Sequence, residues 1–351
     1  MLNVNYKKRY ISRVSEIGHH IKSTSKASLF RAFMSVSLLT LGLSFNVASH
    51  AQQWPAKPVH IIVPFPAGQG ADIITRLISE RLSPALGQPV IVENRPGAGS
   101  MLGSRYVAHA EPDGYTLLAA GSSALAINQH LYSKMSYNPA TDFDPISQLV
   151  SIEYVLCVSP TLNVKTLPDL ISLAKEKPNQ VTYGSSGNGS TNHLVMAELA
   201  SVEHLKLMHI PYKGSSASMT DLLGGQIGTL VESVAVISPY LKSDKMRVLG
   251  VTGIKRSKLL PEVPTLDEQG VTGFDLGTWT GLVAPAGTPV AILDRLNAEV
   301  GKILQAPDVR QKIEDLGMIP VGGSREQFRA YVASQSQKWG KVVKSSGTHF
   351  D

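Results

Sequence analysis

The chain of 351 residues contains very little cysteine. Its single cysteine, Cys157, excludes an internal disulfide and a cysteine-rich metal cluster. Because Cys157 lies in the apolar run YVLCVS, we expect a buried core thiol rather than a nucleophile. An exported protein without disulfides is better suited to a bacterial periplasm than to the role of a small extracellular scaffold.

Motifs of the common enzyme classes are also missing. The sequence has no G-x-S-x-G elbow, no H-E-x-x-H pair and no P-loop lysine. The segments GQG and GSSGNG lack the spacing and the following acid of a dinucleotide fingerprint. The ten histidines show no metal-ligand spacing. Together these absences predict a protein that is not an enzyme and that uses no cofactor and no metal.

Long apolar runs are limited to one candidate near the start, FMSVSLLTLGLSFNV. At about 15 residues it is short for a membrane-spanning helix. Lys26 and Arg31 precede it, and Ser49 and Ala51 occupy the −3 and −1 positions of a cleavage site. We therefore expect residues 1–51 to be a secretory signal with a long leader, cleaved near Ala51. An uncleaved membrane anchor is the alternative.

An excess of charge is absent once this leader is set aside. The whole chain has a net charge of +6, but residues 1–51 hold seven Lys or Arg and one acid, which leaves 26 of each sign in the remainder. A nearly neutral body has no electrostatic footprint for nucleic acid. Its length of roughly 300 residues suits two α/β domains.

What the sequence does contain is a repeated pattern of apolar strand, glycine-rich break and helix start. The first half carries VHIIVPFPAGQGAD and VIVENRPGAGSMLGSR, and the second carries VTYGSSGNGSTNH and LMHIPYKGSSASM. Glycine lets a backbone approach a ligand closely, and a helix start offers unpaired N–H groups with a partial positive charge. Such an end binds anions. The pattern predicts a cleft that holds a small anion from both sides.

The alternation of strands and helices predicts an α/β fold with parallel sheets in two lobes around this cleft. We expect the first lobe to comprise residues 52–154 plus 283–351, and the second residues 155–282. The chain then crosses between lobes twice, and such crossings can act as hinges. Three helices are predicted to close the chain, at 290–304, 308–316 and 326–344.

Serine, threonine and backbone N–H groups in these loops suit a carboxylate, which accepts about four hydrogen bonds. The alternative is that they are ordinary helix caps and turns. The candidate ligand-binding residues are Phe65, Pro66, Ala67, Gly68, Gln69, Asp72, Ser122, Ser123, Ser186, Gly187, Asn188, Ser190, His193, Lys213, Gly214, Ser215 and Trp279.

Five of these residues have two open interpretations. Asp72 is a first-turn carboxylate favoured by the helix dipole, or a partner for a ligand amine or hydroxyl. Lys213 is solvated or attracts an anion. His193 caps its helix or contacts the ligand. Trp279 forms a wall of the cleft or packs the hinge, and Phe65 lines the mouth of the cleft or joins the core.

The segments PFPAGQGAD, SSGNGSTNHL, HIPYKGSS, DLLGGQI and LVAPAGTP resemble those of the periplasmic solute receptors of tripartite tricarboxylate transporters, the Bug-type receptors. The resemblance covers residues 52–347. It implies a two-lobed periplasmic-binding-protein fold of type II-like organisation with two chain crossovers. It also implies a monomer that captures a small organic carboxylate for membrane permease subunits. A sensor kinase is the alternative partner.

In that family, two motifs close over the carboxylate, and here they correspond to Pro64–Asp72 and Ser186–Ser190, with His193 and the PYKGS loop at further motif positions. Two departures are visible. The chain has Gln69 where the family often has glycine. The segment IGTLVESVAV replaces an acidic, asparagine-containing stretch, so we expect a more apolar wall there.

Overall fold

The computed structural model describes residues 54–350. The expected signal segment therefore lies outside the described residues, and its cleavage stays a prediction. Among the described helices, none combines the length and the apolar character that a membrane crossing requires.

Residues 54–350 form eleven strands in two sheets. In chain order the strands are β1 (Val59–Val63), β2 (Val90–Asn94), β3 (Thr116–Gly121), β4 (Phe143–Ile152), β5 (Tyr154–Val158), β6 (Thr182–Ser185), β7 (Met208–Pro211), β8 (Thr229–Ser233), β9 (Arg247–Val251), β10 (Thr278–Pro285) and β11 (Met318–Gly322).

The same residues form ten α-helices, with a short π-helical turn at Ser123–Ile127. In chain order the helices are α1 (Gly70–Leu86), α2 (Met101–Ala108), α3 (Asn128–Leu131), α4 (Leu167–Glu176), α5 (Thr191–Val202), α6 (Ser215–Leu223), α7 (Val234–Ile237), α8 (Val290–Gln305), α9 (Pro307–Asp315) and α10 (Arg325–Ser346). The last three confirm the helices predicted to close the chain.

Each sheet is mixed rather than wholly parallel. The first has the order β11-β4-β10-β3-β1-β2, in which β1 runs parallel to β2 and β3, while β10 is antiparallel to β3 and β4. The second has the order β7-β6-β8-β5-β9, in which β6 runs parallel to β7 and β8, while β5 is antiparallel to β8 and β9. The prediction of parallel sheets is therefore correct only for the strand–loop–helix units, because β10 and β11 in the first sheet and β5 in the second run antiparallel to their neighbours.

The chain crosses between the sheets at two places that touch each other. Strand β4 is separated from β5 by Glu153 alone, and the return lies between β9 and β10. The hydroxyl of Thr252 hydrogen-bonds to the carbonyl oxygens of Tyr154 (3.1 Å) and Leu276 (2.6 Å), one on each crossing. Strand β10 lies wholly in the first sheet, although its residues 278–285 span the predicted boundary at 282. The division into lobes is carried forward as a prediction.

The core is continuous between the two sheets. Leu118 of the first sheet, Leu156 of the second and Trp339 of α10 belong to one cluster of buried apolar side chains. Helix α10 contacts β4 of the first sheet and α5 beside the second, so it joins the two halves. Cys157 is completely buried, which confirms the predicted core thiol, and burial raises the pKa of its thiol group.

Candidate functional site

The glycine-rich loops follow the carboxyl ends of parallel strands in both sheets. The first loop, residues 65–72, connects β1 to α1, and the second loop, residues 185–193, connects β6 to α5. A third segment, residues 212–215, leads from β7 into α6. In α/β sheets this edge is where ligands bind.

Two contacts show that these edges face each other. A Cβ atom added at Gly189 of the second loop would lie 3.1 Å from Leu131 of α3, which follows the first sheet. One added at Gly317, between α9 and β11, would lie 2.7 Å from the backbone nitrogen of Ala235, which follows β8. Since both contacts join the first half to the second, the glycine loops do not lie on opposite outer surfaces.

The first loop is held by the carboxylate of Asp72, which is only 2% exposed. It accepts hydrogen bonds from the backbone N–H of Gly68 (2.8 Å), from Nδ2 of Asn94 (2.9 Å) and from Nε of Arg76 (3.0 Å). Burial alone raises the pKa of Asp72, but these bonds outweigh it and the pKa is lowered. These contacts hold the carboxylate at the first turn of α1, as the first-turn interpretation of Asp72 expects, and its role towards a ligand stays a prediction.

The rest of the first loop faces solvent. Pro66, Ala67, Gly68 and Gln69 are exposed, whereas Phe65 is half-buried and packs against the core of the first sheet. Gln69 is the N-cap of α1, and its side chain makes no capping hydrogen bond. The first N–H groups of a helix have no partner within it. The start of α1 therefore offers backbone donors beside an open loop.

The second loop is organised by Asn192, which is 3% exposed. Its Oδ1 accepts hydrogen bonds from the hydroxyl groups of Ser190 (2.7 Å) and Ser186 (3.0 Å) and from the N–H of Ser186 (3.3 Å). Its Nδ2 donates to Oε2 of Glu232 at 3.4 Å. Gly187 and Asn188 complete the turn, Gly187 with φ +130°. The amide thus links the loop to a buried acid.

Glu232 lies at the end of β8 and is 3% exposed. Its Oε1 accepts a hydrogen bond from the N–H of Ser233 at 2.8 Å, and the hydroxyl group of Ser215 at the start of α6 lies close enough to lower the pKa of this carboxyl group. Burial raises the pKa of Glu232, and the bonds to Ser215, Ser233 and Asn192 offset this only in part. The segment predicted to be an apolar wall therefore contains a buried acid.

His193 belongs to a stack of rings behind the second loop. Its Nδ1 accepts a hydrogen bond from the N–H of Gly189 (3.0 Å), and its ring stacks on His209 with centroids 4.0 Å apart. Burial, followed by the nearby His209, lowers the pKa of His193 to about 4. A neutral ring that accepts from the loop backbone supports the capping interpretation of His193.

Ser122 directly follows β3 and Trp279 lies in β10, so neither belongs to the glycine loops. The hydroxyl of Ser122 is buried and lies 2.8 Å from that of Thr278, and Ser123 begins the π-helical turn. Trp279 is 1% exposed and packs edge-on against Phe328 of α10 with centroids 5.6 Å apart. These contacts support the hinge-packing interpretation of Trp279.

The remaining predicted residues surround the start of α6. Lys213 is exposed, Gly214 is the N-cap with φ +119°, and Ser215 is the first helical residue. The N-cap residue of this helix makes no side-chain capping hydrogen bond, as is also found for α1 and α5. By contrast, α4 and α10, which begin elsewhere, carry complete capping boxes at Thr166 and Ser324.

A cavity of about 1040 Å³ opens elsewhere, on the first half, and His60, Arg95, Arg105 and Tyr106 are among its lining residues. None of the predicted ligand-binding residues lines it. We place the candidate site at the loops instead, because strand ends and helix starts converge there. Among residues 54–350, no three His, Cys, Asp or Glu side chains are grouped as a metal site would require.

Three residues that organise the loops were not predicted as site residues: Asn94, Asn192 and Glu232. Glu232 had a usable signal, because it is the lone charge in the apolar stretch IGTLVESVAV. Buried charges are almost always paired, so a lone acid in a strand indicates partners elsewhere. Asn94 and Asn192 had no such signal, since their partners come from other elements.

Similarity to known proteins was found over most of the chain. Residues 74–348 match the family described as tripartite tricarboxylate transporter family receptor. The protein BugT of Bordetella pertussis is 33% identical, over 90% of this chain and 97% of BugT. Rpa4515 of R. palustris, solved with adipate, is 34% identical with a TM-score of 0.76, over 84% of this chain and 99% of that one. MatC of Rhodopseudomonas palustris, solved with bound malate, is 30% identical with a TM-score of 0.73, over 83% and 100%.

Proposed function

We propose that this chain, which belongs to the Bug-type receptor family of tripartite tricarboxylate transporters, is a carboxylate receptor. Its ligand would be a small mono- or dicarboxylate bound between the two lobes. It is a solute-binding receptor with the two-lobed fold of its family, and not an enzyme. The observation that carries the proposal is the uncapped, solvent-facing start of α1 beside the first loop. Backbone N–H groups at a helix start bind a carboxylate without an arginine.

In the proposed mechanism the open lobes admit the anion, and α1 binds its carboxylate. The second loop and residues 212–215 then complete the enclosure. Charge-assisted hydrogen bonds contribute about 1.5–3 kcal/mol each, and association costs about 4–15 kcal/mol. Four to six such bonds are therefore consistent with micromolar binding, a binding free energy of about −8 kcal/mol. Binding shifts the population towards the closed form.

The binding test is calorimetry with a carboxylate panel that includes adipate and malate, each paired with its uncharged amide. We expect the acids to bind and the amides to fail. Gly68→Ala, in the first loop, should weaken binding several-fold. Gly273→Ala is its matched control, because both glycines have φ near +80° (+82° and +75°) with no atom within 4 Å of an added Cβ. Folded protein that binds no member of the panel would contradict the proposal.

We also propose that the protein acts in the periplasm, delivered there by cleavage near Ala51, and that it presents its ligand to membrane permease subunits as a monomer. Support comes from the family, whose named members include periplasmic binding proteins such as BugD. Mass spectrometry of the exported chain would locate the new N-terminus. Pull-down with permease subunits, with a sensor kinase as the competing partner, would identify the recipient.

A further inference from the structure

The serine hydroxyls of the second loop donate their hydrogen bonds towards the interior of the protein. The hydroxyl protons of Ser186 and Ser190 point to Oδ1 of Asn192, at 3.0 and 2.7 Å, and the amide group of Asn192 then donates to Glu232 at 3.4 Å. Ser190 has a second acceptor, the carbonyl oxygen of Gly187, which is also within the protein. A serine hydroxyl has one proton and two lone pairs. With their protons directed inwards, both hydroxyls present only lone pairs to a ligand.

The backbone donors of the second loop are also largely used within the protein. Ser186 N–H donates to Asn192, Gly187 N–H to the Ser185 hydroxyl, Gly189 N–H to His193 and Ser190 N–H to the Gly187 carbonyl. The start of α5 is covered, since Thr191, Asn192 and His193 are each 8% exposed or less.

The first loop has the opposite character. Gly70 and Ala71 at the start of α1 are half-buried, and their neighbours from Pro66 to Gln69 are exposed. The one loop acid, Asp72, turns its carboxylate back onto Gly68 N–H and Arg76. Backbone donors remain at this helix start for an incoming anion.

We infer that the ligand carries its carboxylate at the end that meets α1 and a hydrogen-bond donor, a hydroxyl or ammonium group, at the end that meets Ser186 and Ser190. Glu232 is a positioning residue for this specificity. Its carboxylate accepts a hydrogen bond from Nδ2 of Asn192, which leaves Oδ1 of Asn192 directed at the two serine hydroxyls. A second carboxylate at that end would meet serine lone pairs. The inference rests on the proposed function and narrows its ligand class to hydroxy and amino acids.

Two series of linear acids with identical chain length but different far ends provide the test. The four-carbon series is butanoate, succinate, 4-hydroxybutanoate and 4-aminobutanoate, and the six-carbon series is hexanoate, adipate, 6-hydroxyhexanoate and 6-aminohexanoate. By calorimetry, we expect the hydroxy or amino member of at least one series to bind about tenfold more tightly than both its simple acid and its diacid, as one well-made hydrogen bond allows.

Glu232→Gln tests the positioning role, because glutamine keeps the size of the side chain but places donors beside Asn192. We expect it to reduce the tenfold preference to about threefold or less, with affinity for the simple acid little changed. A purely structural role would change all affinities together. The matched control is Glu198→Gln on the same helix as Asn192, where the acid accepts from Ser345 of α10, and the preference should persist. If Glu232→Gln does not fold, Ser190→Ala provides a second test. It removes one of the two hydroxyl groups proposed to accept from the ligand, so it should also reduce the preference.

The outcomes distinguish a failure of the proposed carboxylate binding from a failure of the inference about the far end of the ligand. Binding of no acid in either series by folded wild-type protein overturns the proposed function and the inference with it. Tighter binding of a diacid than of its hydroxy and amino partners overturns the inference and leaves carboxylate capture intact. An unchanged preference in both Glu232→Gln and Ser190→Ala overturns the assigned role of Glu232.

Discussion

The two glycine loops arise from one sequence pattern but are stabilised differently. The first is held by Asp72 and Arg76, an ion pair whose guanidinium side chain is 50% exposed. The second is held by Asn192, a neutral amide that is 3% exposed. Water weakens the first set of contacts, whereas burial strengthens the second. A strand–glycine–helix pattern therefore predicts where a loop lies but not which polarity it presents.

The largest expected difference lies between Gly189→Ala in the second loop and Gly68→Ala in the first. Both glycines have a left-handed backbone, with φ +72° and +82°, so both variants incur about 1–2 kcal/mol of strain. An added Cβ at Gly189 also lies 2.7 Å from the ring of Phe350 and 3.1 Å from Leu131. Overpacking adds about 1–3 kcal/mol there. Equal losses of unfolding free energy in urea would contradict this.

A second pair compares the two asparagines. Asn192→Ala removes the acceptor of the Ser186 hydroxyl and one donor to the buried carboxylate of Glu232, which costs about 1–3 kcal/mol. Asn94 is half-buried and bonds to Asp72 and to the Phe65 carbonyl, so water can replace its contacts, and Asn94→Ala should cost about 0.5–1.5 kcal/mol. Chemical unfolding measures the loss of unfolding free energy in each variant. A larger loss for Asn94→Ala would contradict our interpretation that the hydrogen bonds of Asn192 are buried and those of Asn94 are accessible to water.

The stability contributions of Asp72 in the first loop and of Glu232 in β8 should respond to pH with opposite sign. The folded-state pKa of Asp72 lies below its ordinary 3.8, so its contribution is complete above that value and is lost as the pH falls through the folded-state pKa. That of Glu232 lies above its ordinary 4.5, so stability increases as the pH falls from the raised pKa towards 4.5.

Unfolding free energies measured across acidic pH separate these contributions. Asp72→Asn should be less stable than wild type, by an amount that increases with pH. Glu232→Gln should lose less stability than wild type as the pH rises, so its unfolding free energy relative to wild type should increase with pH. The same sign of pH-dependent difference for both variants would show that hydrogen bonds outweigh burial at Glu232, as they do at Asp72.

Most of the fold could be predicted from sequence, because local patterns determine it. The three helices that close the chain lie within two residues of their predicted bounds, since a clear helical period marks them. Strands β4 and β11 were missed. The first begins inside a turn-rich stretch, and the second contains Pro320 and two flanking glycines at a sheet edge, where proline is tolerated.

The candidate site was predictable only as far as glycine marks it. The loops were located correctly in relation to their strands, because glycine and a helix start are adjacent in sequence. The polarity of the second loop depends on Asn192 and Glu232, which lie 40 residues apart and meet only when β8 aligns beside α5. No local pattern contains that pairing, so the donor and acceptor roles of the two loops needed the three-dimensional structure.

The smallest expected effect concerns Arg76. Its ion pair with Asp72 spans one helical turn and is half-exposed, and such pairs contribute about 0.2–1 kcal/mol. Arg76→Ala should therefore lower the unfolding free energy by less than about 1 kcal/mol, and added salt should shrink the difference because it screens exposed charges. Asn192→Ala should show no such salt dependence. A salt-independent loss at Arg76 would mean that the first loop, like the second, is shielded from water.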